Sequence, residues 1–176
     1  MLVENGLVIK EPYRSYRVRQ PDLEEIHNLY DVRLALELFT VEWLATQGMS
    51  DTEWGALHET WQSILNQLPK NAADFAEKDE SFHEKLADCT GNQVLAQYLR
   101  HIDERLHFVR LTDITTQARI QATCEQHLKI LECIKNKNVQ CAREAMRQNI
   151  ESGRQNVEGP IKEALVRSFQ IVSGRK

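Results

Sequence analysis

Between Pro21 and Val172 the apolar residues recur three and four apart, in blocks that open on a capping residue and close on Gly or Pro. That period puts each block's apolar side chains on one face of a helix, which must then be buried against another helix. The blocks run as follows. Asp22 and Glu25 have capping-box spacing, and the helix they open carries Leu29, Val32, Leu36, Phe39 and Trp43, with Gly48 as its stop. Tyr30, Leu34, Leu38 and Val41 largely fill its other side. A helix apolar nearly all round is buried on several faces, either at the centre of a bundle or against a second subunit. Ser50 and Glu53 open the second block (Trp54, Leu57, Trp61, Ile64, Leu68), which ends at Pro69. Asn71, Asn92, Thr115-Thr116 and Asn138 suit the starts of four more, and Gly159-Pro160 breaks off a last one with Ile161, Leu165, Phe169 and Val172. The connections are short, so the expectation is an all-α antiparallel bundle of about seven helices.

Residues 1–20 do not share this period. Leu7-Val8-Ile9 and Tyr16-Arg17-Val18-Arg19 flank Glu11-Pro12-Tyr13-Arg14 and read as a short β-hairpin, locally basic through Lys10, Arg14, Arg17 and Arg19. Two strands alone are marginal in water, so this piece looks like the end of another domain. The expected division is therefore 1–20 and 21–176.

The chain is 176 residues long, enough for one sizeable core. Its net charge of −4 gives no electrostatic case for nucleic-acid binding by the chain as a whole. No run is long and apolar enough to span a membrane, and no signal peptide is legible. Cys89, Cys124, Cys133 and Cys141 lie scattered with no C-x-x-C pair, which reads as reduced thiols of a cytoplasmic protein.

Polar residues interrupt the apolar stripes at a few places. Asp79 and His83 are four apart, within the stripe of Phe75, Phe82 and Leu86. His127 falls between Cys124 and Leu131, and Asn149 between Met146 and Gly153. A buried polar group without a partner costs about 2–7 kcal/mol, so these need one. Two imidazoles and a carboxylate converging in a bundle core suit a divalent transition metal, to which Asn149 could add a carbonyl oxygen. Each also has a plainer reading: an Asp79–His83 hydrogen bond, a satisfied core His127, a polar break at Asn149. Arg33, on the first helix, is either an i,i+4 partner of Glu37 or a fork for a carboxylate in a closed pocket. A metal and an arginine in one cavity would suit a small organic acid.

Two rival readings stand beside this. Glu24-x-x-His27, Glu80-x-x-His83 and Glu104-x-x-His107 have the spacing of a di-iron bundle enzyme. A purely structural bundle would need neither metal nor ligand.

These residues together resemble the effector-sensing C-terminal domain of GntR transcription regulators of the FadR subgroup. The resemblance rests on Leu29-Tyr-Asp-Val-Arg33-Leu-Ala-Leu-Glu37, Asp79-x-x-Phe82-His83-x-x-Leu86 with Gly91-Asn92, His127-x-x-Ile130, and Ala142-x-x-x-Met146-x-x-Asn149-Ile150. It implies a non-enzymatic, cytoplasmic homodimer. Asp79, His83 and His127 would hold a divalent ion of the zinc, nickel or manganese class. Asn149 stands where the family's third histidine would be. Arg33, Asn92 and Asn149 would meet a carboxylate effector. The resemblance also makes residues 1–20 the wing of a winged helix-turn-helix whose DNA-reading helices lie outside this chain. Operator DNA would then be bound only through that N-terminal domain.

Overall fold

The computed structural model describes residues 8–10, 16–18, 23–113 and 116–173. Among them are a strand pair, β1 (Val8–Lys10) and β2 (Tyr16–Val18), antiparallel with Ile9 opposite Arg17. Six helices follow: α1 Leu23–Gln47, α2 Asp51–Asn66, α3 Ala72–Cys89, α4 Gln93–Asp113, α5 Gln117–Lys135 and α6 Val139–Ser173. The all-α bundle is as expected, with one helix fewer. Gly159-Pro160 does not end the sixth helix, because α6 continues through both. Pro160 removes one N–H from the ladder without ending the helix.

The expected starts are the observed ones where they can be seen. Ser50 accepts from the Glu53 amide, Asn71 from Ala73, Asn92 from Leu95, Thr116 from Arg119 and Asn138 from Cys141. Each satisfies an amide that a helix's first turn leaves without a partner. Asp22 and Thr115 fall outside the described residues.

Neighbours in sequence are not always neighbours in space. α3 lies on α4 and α5 on α6, but α1 packs chiefly on α6, and α2 chiefly on α5. α1 also touches α3, α4 and α5, so it is the central helix. Its inward side carries Tyr30, Leu38, Val41 and Leu44, together with Arg33 and Glu37. The Leu29-to-Trp43 stripe is therefore the outer one. Val32 and Phe39 are 51% and 49% exposed, and Leu29, Leu36 and Trp43 are half-buried. Both faces of α1 are apolar, and one chain's core can cover only one of them.

One expectation about the cysteines is overturned. Cys133 and Cys141 form a disulfide across the α5–α6 turn, with Cα atoms 5.5 Å apart. The turn sets this up. Lys137 takes a left-handed φ of 54°, and the Asn138 amide donates back to the Cys133 carbonyl, which folds the start of α6 against the end of α5. An eight-residue separation carries no spacing signal, so the pairing could not be read from the sequence. Cys89 and Cys124 are free, and burial pushes both thiols up to about 12.

Candidate functional site

Every buried carboxylate and guanidinium among the described residues belongs to one network. α1 supplies Arg33 and Glu37, α3 supplies Asp79, α4 supplies Asp103 and Arg110; His83 and His127 complete it from α3 and α5. Each position lies in or beside its helix's apolar stripe. Asp103 and Arg110, for example, follow Leu99 and Leu106 by four residues.

Asp79, His83 and His127 are brought together, each offering a ligand atom within 4.8 Å of the other two. Asp79 Oδ1 is 3.3 Å from His127 Nε2 and 3.9 Å from His83 Nε2. The direct Asp79–His83 hydrogen bond, one of the plainer readings, is not made. His83 instead turns Nδ1 to Glu37 Oε2. That contact suits an Nδ1–H donor and turns Nε2 towards Asp79. Carboxylates behind metal-bound histidines fix ring and tautomer in this way. His127 is held by its rings rather than by hydrogen bonds. It stacks on Phe82 with centroids 3.8 Å apart and meets the edge of Trp61 at 4.1 Å.

The protonation states suit a cation. Burial would raise Asp79, but Arg110, the two histidines and Arg33 outweigh it and hold the carboxyl far below its usual range. Burial likewise opposes the charge on Glu37, yet His83 and Arg33 bring it down to about 2. His127 is driven well below its ordinary value, chiefly by burial, and is neutral at pH 7. Asp103 moves the other way, since burial there outweighs Arg110 and Arg33.

The residues present fit a divalent ion. His83 Nε2 and both ring nitrogens of His127 are buried with no hydrogen-bond partner. A cation beside the ionised Asp79 would satisfy His83 Nε2 and one of the two His127 nitrogens.

The other expected residues sit differently. Asn149 is buried on α6, and its amide nitrogen donates to Gln126 Oε1 at 3.0 Å, leaving Oδ1 as the atom it could turn to a ligand. Arg33 does pair with Glu37, its Nε donating at 2.6 Å, but its Nη2 is buried and unpartnered. Of the two readings of Arg33, the i,i+4 pair with Glu37 is the one made. Asn92 is exposed and its Oδ1 is spent capping α4, beside Asp88, Gln97 and Arg100 rather than within the buried network. The di-iron reading does not assemble: Glu24 and Glu104 are exposed, and Glu80 meets His107 at 2.8 Å.

Asp103 and Arg110 were missed by the sequence reasoning. Arg110 Nη1 donates to Asp79 Oδ2 at 3.1 Å and Nη2 to Asp103 Oδ1 at 2.5 Å. Their signal was present, as charged residues at stripe spacing in α4, but an exposed ion pair on a helix edge has the same spacing.

Comparison with known proteins bears on the family and the fold. Residues 28–152 match the FCD domain. Over 146 residues the chain is 23% identical to the uncharacterized HTH-type transcriptional regulator YdhC of Bacillus subtilis (strain 168), covering 82% of this chain and 65% of that protein. It is 28% identical to the Nta operon transcriptional regulator of Aminobacter aminovorans over 142 residues, 80% of this chain and 66% of that one. The chain thus spans about two thirds of the length of these relatives. A GntR family member from Pseudomonas syringae pv. tomato str. DC3000 superposes with a TM-score of 0.69 at 17% identity, over 95% of this chain and 69% of that one. A GntR regulator from Rhodococcus sp. RHA1 gives 0.70 at 19%, over 90% and 75%. Such low identities speak for the fold alone. The family match covers most of the chain, and the chain belongs to the FCD domain family.

Proposed function

We propose that this chain is the effector-sensing and dimerising part of a metabolite-responsive transcription regulator. Asp79, His83 and His127 would hold a divalent transition metal, with Asn149 Oδ1 as a further oxygen donor. The ion would act as a Lewis acid that binds one end of a small carboxylate. The observation that carries the reading is the set of buried imidazole nitrogens without partners, facing an ionised Asp79. Arg33 Nη2 would supply a fork for the carboxylate. Asn92 was expected among the effector ligands, but its role as a helix cap gives that no support.

Dimerisation is supported by the outer apolar face. Val32, Leu36 and Phe39 line α1, and on α4 Val94 and Tyr98 are 62% and 63% exposed. Leu36 packs against the buried cluster of Ala87, Leu95, Ala96 and Leu99, which ties α1 to α3 and α4. Large apolar side chains grouped this way on a soluble chain mark an interface, and a second copy with the same patch closes it with two-fold symmetry. DNA would be read by a winged helix-turn-helix N-terminal to this region, of which β1 and β2 would be the wing. Effector binding would then select between spacings of two such domains.

Elemental analysis of protein purified without chelators tests the metal. About one divalent ion per chain is expected, falling to background in Asp79→Ala and His83→Ala with helical content retained. Equal metal content in all three proteins would sink the reading.

A further inference from the structure

Asp79 has two oxygens, and they face different partners. Oδ1 is the one turned to the imidazoles, 3.3 Å from His127 Nε2 and 3.9 Å from His83 Nε2. Oδ2 accepts from Arg110 Nη1 at 3.1 Å. Arg110 reaches it from α4, and its other terminal nitrogen, Nη2, donates to Asp103 Oδ1 at 2.5 Å. Asp103 lies on the same helix, about two turns earlier, and is 1% exposed; Arg110 is 2% exposed. A planar guanidinium with one arm on each of two carboxylates is fixed in rotation as well as in position. Arg110 Nε is already buried without a partner. If Asp79 swung round to offer both oxygens to an ion, a second guanidinium nitrogen would lose its acceptor, and a buried charged donor left unpaired is costly.

We propose that Arg110 is a positioning residue of the centre: by holding Oδ2 it limits Asp79 to one ligand atom, Oδ1. This rests on the metal-sensor reading above. Asp103 acts one step further back, by fixing Arg110. The pair does for Asp79 what Glu37 does for His83, so each ligand on α3 is oriented by a charged side chain of another helix. An ion gripped by one carboxylate oxygen instead of two keeps one more coordination position open for a ligand. A role for Arg110 in balancing buried charge alone would not distinguish the two oxygens of Asp79.

Infrared difference spectra of zinc-loaded minus zinc-free protein, with zinc content measured on the same samples, test this. Binding through one oxygen widens the gap between the asymmetric and symmetric carboxylate stretches relative to the free ion, and binding through both narrows it. The wild type should show the wider gap. Arg110→Met combined with Asp103→Leu removes the pair together, an exchange that buried ion pairs often tolerate, and it releases Oδ2. That protein should still hold zinc, with the gap narrowed. Arg110→Lys keeps a cationic donor for Oδ2 and should keep the wider gap. A narrowed gap in the wild type would overturn the proposal. So would a folded double variant that keeps the wider gap or takes up no zinc. Should the double variant fail to fold by circular dichroism, the wild-type spectrum alone decides. Wild-type protein without zinc would sink the metal reading and this proposal together, whereas zinc bound with a narrowed gap would sink this proposal alone.

Discussion

Glu37 shows how much one side chain can do at a distance from any ligand. Its two oxygens are divided between Arg33 and His83, so it ties a guanidinium and an imidazole into one geometry. Glu37→Gln keeps the shape but removes the charge that holds the Nδ1 proton. Metal affinity should fall about 10–100-fold, read as a higher zinc dissociation constant with helical content unchanged. A truncation such as Glu37→Ala would also leave the Arg33 charge buried without its partner, so it would report folding rather than ligation. Asp103 and Arg110 belong at this scale too. The sequence offered them as ordinary members of an amphipathic helix, and only burial gave them consequence.

At the scale of elements, the short connections decide more than their length suggests. Each visible helix start is satisfied by the side chain expected there, which is why the boundaries could be read without coordinates. The cap at Thr116 also fixes where α5 begins and so the rotation at which His127 enters the core. Thr116→Ala should cost about 1 kcal/mol, visible as a lower urea midpoint with an unchanged slope. The α5–α6 turn differs, because its disulfide was not legible. Cys133 and Cys141 come together only once Lys137 has reversed the chain. Helix α1 carries the other lesson: both of its faces are apolar, and periodicity cannot say which one is turned inward.

For the whole molecule, the outer face of α1 and the exposed Val94 and Tyr98 of α4 form the surface most in need of cover. Phe39→Asp combined with Tyr98→Asp should halve the mass seen by light scattering while leaving the helical spectrum intact. A monomeric wild type would refute the interface. Metal binding should also be felt globally. An ion that binds only the folded state, at a free concentration about a thousandfold above its dissociation constant, adds about 4 kcal/mol of stability. Chelation should therefore lower the melting temperature by about 10 °C, and Asp79→Ala should be insensitive to the chelator.

Helical period, caps and stripe positions are local quantities, so the sequence alone determined the bundle, most helix starts, and the inward places of Asp79, His83 and His127. Three things depended on how helices far apart in the chain are set against each other. Tertiary packing made α1 central, with its Leu29-to-Trp43 face outward. It joined Cys133 to Cys141. It also brought Glu37, Asp103 and Arg110 from α1 and α4 up behind the histidines, since charge pairing across helices depends on distance in space and leaves no period in the sequence.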